Sequence, residues 1–392
     1  MNKDRWLLPE GIEEVLPPLA EHLEQKRRQL LDLYKSWGYE LVMPPFIEYL
    51  ESLLTGTGDD LDLQTFKLTD QLNGRMMGVR ADITPQVARI DAHHLKRETP
   101  TRLCYMGTVL HTRPQGFAAS RAPLQIGLEL YGHAGSESDV EVFRLMVATL
   151  QTCGITDVYF DLGHVGIFRG LAAQAGLNED QEADLFDALQ RKAKPEISSM
   201  LAQWNLDEKV AAMLAALADL NGNDAVLEKA AKLLAKASDD VKKALAALEQ
   251  IAVAIKQSIP DISLHYDLAE LRGYHYHTGV VFAAFVPGQG RAIAQGGRYD
   301  GIGKVFGNAR PATGFSTDLK TLLALNPQEV VQNAGVIAPY DNDAALQSLI
   351  DELRVKGERV VVNLPRQTGD ASAMQCDREI VRQGKDWVIK KI

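Results

Sequence analysis

The sequence predicts an α+β fold with a helical insertion and a small α/β unit at its C-terminal end. Three observations carry this. Strand-like runs and an Asn-Gly hairpin turn lie before residue 176. From about 176 to 258 the chain is rich in Ala, Leu, Lys, Asp and Glu, and its strand signal disappears. Strand patterns then return, and a strand–helix–strand run begins near Asn333. Two domains are expected, 1–325 and 332–392, with the insertion inside the first. A chain of 392 residues is long enough for both cores.

Residues 19–37 read as a helix, because Leu19, Leu23, Leu30, Tyr34 and Trp37 recur at helical spacing and Gly38 can end it. Residues 40–43 then read as a strand stopped by Pro44-Pro45. Residues 66–68 and 76–79 form a hairpin about Asn73-Gly74. Residues 105–107 and 124–131 are further strands. A helix at 140–152 puts Val140, Phe143, Val147 and Leu150 on one face, with Ser138 and Glu141 as a capping box and Gly154 closing it. Asn178, with Gln181 three residues on, caps the first helix of the insertion. The Ala-rich run 211–218 reads as helix packing. Strands follow at 262–266 and 280–283. Pro287-Gly288-Gln289-Gly290 is a turn without the Gly-Lys-Ser/Thr ending of a phosphate loop. In the last unit, strands at 336–338 and 360–362 flank a helix at 343–356. Residues 380–381 and 387–389 close it as a hairpin around Gln383-Gly384-Lys385.

Composition narrows the function. Hydrophobic residues make up 46% and charged residues 24%, ordinary for a soluble globular protein. The net charge of -10, with no basic run, disfavours a nucleic-acid partner, since that affinity comes from Lys and Arg on phosphates. Cys104, Cys153 and Cys376 are scattered and read as reduced thiols. No signal-like apolar core opens the chain, and no apolar run approaches the roughly 18 residues of a membrane span. A soluble, cytoplasmic protein is expected.

Two segments carry candidate chemistry. In Leu271-Arg272-Gly273-Tyr274-His275-Tyr276-His277-Thr278-Gly279, an Arg among aromatics needs an anionic partner. That partner is either Asp267 or Glu270 in a structural pair, or a ligand carboxylate or phosphate. His275 and His277 point to one face of a strand. No Cys or carboxylate cluster completes a ligand set beside them, so no metal site is expected. In Gly296-Gly297-Arg298-Tyr299-Asp300-Gly301 the glycines permit close backbone approach, and Tyr299 offers a hydroxyl to a polar ligand.

These two segments, in this order, resemble histidyl-tRNA synthetases. Residues 5–325 resemble the class II aminoacyl-tRNA synthetase core, with the insertion only weakly matched. The resemblance implies a mainly antiparallel sheet flanked by helices. The helix, strand and proline of 19–45 resemble motif 1, the dimer interface of that family. The C-terminal unit resembles a truncated anticodon-binding domain. Gln125 and Glu129 match residues that contact histidine in the family, and Arg272 matches its catalytic arginine. Asp82 and Thr84, within Arg80-Ala81-Asp82-Ile83-Thr84-Pro85-Gln86, stand where an α-ammonium is held. Tyr276, His277 and Tyr299 complete the histidine-binding set that the resemblance implies.

Two positions depart from the family. Its members carry an arginine at each of two sites that grip ATP. Here the first falls on His111, counted from Gly107, or on Leu110, counted back from Arg113-Pro114-Gln115. A glutamate that contacts adenine is replaced by Arg113 or Thr112 in the same two alignments. The second arginine falls on Thr321 within Gly314-Phe315-Ser316-Thr317-Asp318-Leu319-Lys320-Thr321, where the family has Glu-Arg for Lys320-Thr321. Neither His nor Thr has the guanidinium fork. Lys320, one position earlier on a helix, points roughly 100° aside. Adenylation relies on charge stabilisation at phosphate, so losing both clamps removes the means for it.

The Arg-x-Asp-x-Thr form of residues 80–84 resembles one branch of the family, the regulatory subunits of short-form ATP phosphoribosyltransferase. That resemblance implies no catalytic residues and no cofactor of its own. It implies assembly with a short catalytic subunit that joins ATP to phosphoribosyl pyrophosphate in the first step of histidine biosynthesis. The assembly would be a hetero-octamer in which this chain also pairs with itself, with histidine as the regulating ligand and neither tRNA nor membrane as a partner. Two other readings stay open: a divergent enzyme that activates histidine for a non-tRNA acceptor, and a stand-alone amino-acid-binding module.

Overall fold

A computed structural model describes residues 6–55, 59–114, 120–269, 276–307, 309–327 and 334–392. The chain divides into two compact units, Met1–Gln328 and Glu329–Ile392.

The first unit is built on a nine-stranded sheet. Its order is Glu40–Leu41, Thr101–Thr108, Leu124–Tyr131, Ala312–Asp318, Ala294–Arg298, Val280–Phe285, Tyr159–His164, Leu264–Asp267, Asn221–Gly222. Glu40–Leu41 runs parallel to Thr101–Thr108, and Tyr159–His164 parallel to Leu264–Asp267; the other neighbours are antiparallel. The period of two along Leu124–Tyr131 sorts its side chains. Ile126, Leu128 and Leu130 enter the main core, with Phe143, Phe160, Phe282 and the buried faces of helices Leu19–Ser36, Ser136–Thr152, Val165–Ala175 and Asp239–Ser258. Gln125, Gly127, Glu129 and Tyr131 face the other way. There a smaller cluster of Ile83, Val87, Leu103, Tyr105, Tyr299 and Ile302 packs around Tyr131. The candidate site lies on this second face. The mainly antiparallel, helix-flanked sheet implied by the synthetase resemblance is therefore the observed architecture.

Several elements differ from the sequence reading. The strand expected at 40–43 stops at Leu41, although the Val42 N–H still donates to the Cys104 carbonyl at 2.9 Å before the prolines end the pairing. The Ser138–Glu141 capping box does not form. Extended Gly135 is the N-cap of Ser136–Thr152, which places Ser138 inside the first turn, 2.7 Å from the Gly135 carbonyl. Glu141 instead accepts from Arg102 at 2.7 Å. The Asn178–Gln181 box does form, with hydrogen bonds of 2.9 and 3.1 Å. The insertion is helical from Glu179–Gln190 to Asp239–Ser258, but it also contributes Asn221–Gly222 as an edge strand. The hairpin pairs Phe66–Thr69 with Met76–Val79, turning at Gly74 with φ +76°, and Ile47–Tyr49 adds a third strand. Strands Tyr159–His164 and Ala294–Arg298 and helix Val165–Ala175 had no clear signal in the sequence.

The second unit has strand order Val360–Asn363, Gly335–Pro339, Cys376–Gln383, Asp386–Lys391. Helix Ala344–Val355 packs Leu346, Ile350 and Leu353 on Val336, Ala338 and Ile380. Asp343 caps that helix, accepting from the Ala345 N–H at 2.8 Å. Among the described residues no helix is long and apolar enough to cross a membrane.

Candidate functional site

A cavity of about 210 Å³ opens on the second face of the large sheet. Asp82, Thr84, Glu129, Tyr276, His277 and Tyr299 line its polar wall, and Phe282, Gly296, Gly314 and Phe315 lie at the sheet side. It falls short of the roughly 300–1,000 Å³ of drug-sized sites and suits a ligand as small as an amino acid.

Glu129 is the centre of the polar wall. Its carboxyl is 1% exposed. Tyr105 donates to Oε1 at 3.0 Å, and the Tyr299 hydroxyl donates to Oε2. Two glycines make the arrangement possible: a Cβ on Gly314 would overlap the Glu129 carboxylate, and one on Gly127 would overlap the Tyr105 hydroxyl. Burial pushes Glu129 up to about 8, against the pull of the two tyrosine hydroxyls. Tyr276 stacks on Tyr299 with centroids 4.8 Å apart, and its buried hydroxyl finds no hydrogen-bond partner of normal geometry among the described residues. Thr84 reaches the Tyr105 hydroxyl at 2.9 Å. Two carboxyl groups beside aromatic faces suit a small ligand rich in N–H groups or positive charge.

The sequence-predicted residues separate into three groups. Asp82, Thr84, Glu129, Tyr276, His277 and Tyr299 are brought together at the cavity. Gln125 is not part of its lining. Its amide is taken up by the neighbouring loop, with Nε2 donating to Asp82 Oδ1 at 2.7 Å and Oε1 accepting from the Ile83 N–H at 2.9 Å. Arg272, with His275 and Glu270, lies outside the described residues. Asp267, one proposed partner of Arg272, pairs with Lys192 at 2.7 Å. Among the described residues no group of three or more His, Cys, Asp or Glu is placed to hold a metal ion.

The residues at the two ATP-clamp positions point elsewhere. His111 is buried and its Nε2–H donates to the Ala81 carbonyl at 2.9 Å. In the alternative alignment, Leu110 donates its N–H to the Arg80 carbonyl at 3.0 Å and Thr112 donates its hydroxyl to Leu63 at 2.6 Å. Thr321 donates its hydroxyl to Asp318 Oδ2 at 2.6 Å, in the first turn of helix Leu319–Leu325. Lys320 Nζ donates to the Ala122 carbonyl at 2.9 Å.

Sequence reasoning missed Arg298, which sits in the motif that supplied Tyr299. It is 8% exposed. It donates to Asp139 at 2.9 Å, Ser138 at 2.8 Å, and the Gly135 and His133 carbonyls at 3.0 and 3.2 Å. It thereby ties the strand below Tyr299 to the start of helix Ser136–Thr152. Its burial in a Gly-Gly-Arg context was the available signal, but its partners are far away in sequence.

Comparison with known proteins shows the family. The histidyl-tRNA synthetase family matches residues 11–322, and the ATP phosphoribosyltransferase subunit HisZ C-terminal domain matches residues 333–390. A curated relative from Thioalkalivibrio sulfidiphilus, an ATP phosphoribosyltransferase regulatory subunit, is 63% identical and covers 99% of both chains. A crystal structure from Bacillus halodurans, described as an ATP phosphoribosyltransferase regulatory subunit/histidyl-tRNA synthetase, superposes with a TM-score of 0.83 at 27% identity, covering 94% of this chain and 96% of that one. The histidyl-tRNA synthetase of Nostoc shares the fold, with a TM-score of 0.77 at 19% identity over 96% of this chain and 91% of its own. With a synthetase-like core, and with these relatives spanning its length, the chain belongs to the family of ATP phosphoribosyltransferase regulatory subunits.

Proposed function

We propose that this chain is the non-catalytic regulatory subunit of a short-form ATP phosphoribosyltransferase. It binds histidine in the cavity around Asp82, Thr84, Glu129, Tyr276, His277 and Tyr299 and conveys that state to a catalytic partner. One observation supports the reading: six of the residues matched to the family's histidine site line one cavity, while His111 and Thr321, aligned with the family's ATP clamps, are hydrogen-bonded to Ala81 and Asp318. Histidine regulates only if it binds two states of the assembly unequally. Arg272, by family resemblance, faces the ligand carboxylate. The assembly is a hetero-octamer in which this chain also pairs with itself, it works in the cytoplasm, and its net charge of -10 supports no role with tRNA. The division at about 325–332 gives a ligand-binding body and a separate small unit.

The test is phosphoribosyl-ATP formation by the short catalytic subunit, with and without this chain, over a range of histidine. Activation by the chain and inhibition by histidine are expected. No effect, together with histidine-dependent pyrophosphate exchange by this chain alone, would replace the reading with that of a histidine-activating enzyme.

A further inference from the structure

The loop that carries Asp82 and Thr84 is held from both sides by residues at or beside the former nucleotide end. On one side, His111 donates to the Ala81 carbonyl at 2.9 Å, immediately before Asp82. On the other, Asp318 Oδ1 accepts from the Leu124 N–H at 2.9 Å. Leu124 precedes Gln125, whose amide holds Asp82 Oδ1 at 2.7 Å and the Ile83 N–H at 2.9 Å. Asp82 Oδ1 also accepts from the Thr84 N–H at 3.0 Å, and Oδ2 takes no hydrogen bond among the described residues. One carboxylate oxygen of a residue that lines the cavity is thus fixed by the protein. His111 is buried, and its Nδ1 has no partner, so the single Nε2–H bond to Ala81 orients the ring.

We infer that His111 is a positioning residue for the amino-acid site: at the place where synthetases grip ATP, it now braces the Asp82 loop, so that Asp82 meets the ligand's α-ammonium. Asp318 and Gln125 form the matching brace from the opposite side. This rests on the proposed binding of histidine in the cavity. It differs from a simple loss of the clamp, because the substituted residue has acquired a role in ligand recognition. A carboxylate meeting an ammonium must be aligned as well as present, since such bonds weaken steeply with angle.

The experiment is titration calorimetry of the full chain with two probes, histidine and imidazolepropionate, which lacks the α-ammonium. His111→Ala weakens histidine by about tenfold and leaves imidazolepropionate within about twofold, because only the ammonium contact depends on Asp82 alignment. His111→Gln, which keeps a donor near the Nε2 position, restores the wild-type ratio between the probes. Should His111→Ala not fold, His111→Asn, too short to reach Ala81, carries the same test. An equal loss for both probes marks a merely structural residue and overturns the inference, as does no loss for either. If the wild-type chain binds neither probe, the histidine reading of the cavity falls and takes this inference with it.

Discussion

Two regions beside the large sheet treat their polar groups differently. At the cavity, Asp82, Glu129, Tyr276 and Tyr299 line the wall, the Tyr299 hydroxyl donates to Glu129, the Tyr276 hydroxyl has no partner among the described residues, and Glu129 is buried at the expense of its charge. Around His111, Lys320 and Thr321, the His111 Nε2–H, the Lys320 ammonium and the Thr321 hydroxyl each donate to a carbonyl or carboxylate oxygen of the protein, while the buried His111 Nδ1 has no partner among the described residues. A buried polar group without a full set of partners costs free energy. A fold that keeps a buried carboxyl and a partnerless tyrosine hydroxyl beside a cavity carries that cost where a ligand could repay it. The difference separates a cavity lined by buried polar groups from a region whose side chains bond to the protein itself.

The largest test of this contrast is the pH dependence of stability. Burial raises Glu129 from 4.5 to about 8. The folded chain therefore holds this proton more tightly than the unfolded chain. The associated stability is fully present below about pH 4.5 and is lost as pH rises through about 8. At about 1.4 kcal/mol per pKa unit the loss is on the order of several kcal/mol. Glu129→Gln removes this contribution, so its urea-unfolding free energy, measured from about pH 5 to about pH 8, falls less steeply than that of the wild type. Parallel slopes for the two proteins would mean that Glu129 is not held neutral in the empty cavity, and the contrast would lose its main support.

The next effect is on binding. Glu129→Ala is expected to weaken histidine by about 100-fold in calorimetry, the scale of a lost charge-assisted hydrogen bond in a dry site. If the ligand presents an N–H or ammonium, binding also favours the ionised carboxylate. The wild type then releases protons on binding below about pH 8, seen as a heat that varies with the buffer's ionisation enthalpy. An unchanged affinity in Glu129→Ala would place histidine elsewhere on the assembly.

Much of this contrast is legible in the sequence, where the determinants are local. The alternation of Gln125, Glu129 and Tyr131 with Ile126, Leu128 and Leu130 sorts the strand's two faces, and the Asn178–Gln181 box spans a single turn. What escaped depended on distant partners or on backbone. Tyr159–His164 has mixed rather than alternating character, and its neighbours come from Val280–Phe285 and Leu264–Asp267. Ser138 resembled a cap, but the extended backbone of Gly135 caps the helix three residues earlier. Arg298 reaches Asp139 across 159 residues. At the site, the motif alignment brought Asp82, Thr84, Glu129, Tyr276, His277 and Tyr299 together, whereas it assigned Gln125 a ligand contact although its amide braces Asp82. Residue type indicates what a side chain can bond; which neighbour reaches it first is a property of the fold.

The smallest effect sharpens the nucleotide end. Thr321→Val removes the hydroxyl bond that Asp318 Oδ2 accepts at 2.6 Å but leaves the backbone N–H groups of Lys320 and Thr321 on the Asp318 cap, so it costs at most about 1 kcal/mol of stability. Histidine affinity should be unchanged, because Asp318 keeps its bond to Leu124 and through it the Gln125–Asp82 link. Returning arginine to both positions, as His111→Arg with Thr321→Arg, should not create histidine-dependent pyrophosphate exchange. Asp318 caps helix Leu319–Leu325 and lies within reach of residue 321, so an arginine there meets a carboxylate before it meets a phosphate. An arginine at 111 also takes away the support beneath Ala81. The closed end is a set of interlocking contacts, and two side chains alone do not reopen it. Measurable exchange in the double variant would show instead that the two ends still communicate as they do in a synthetase.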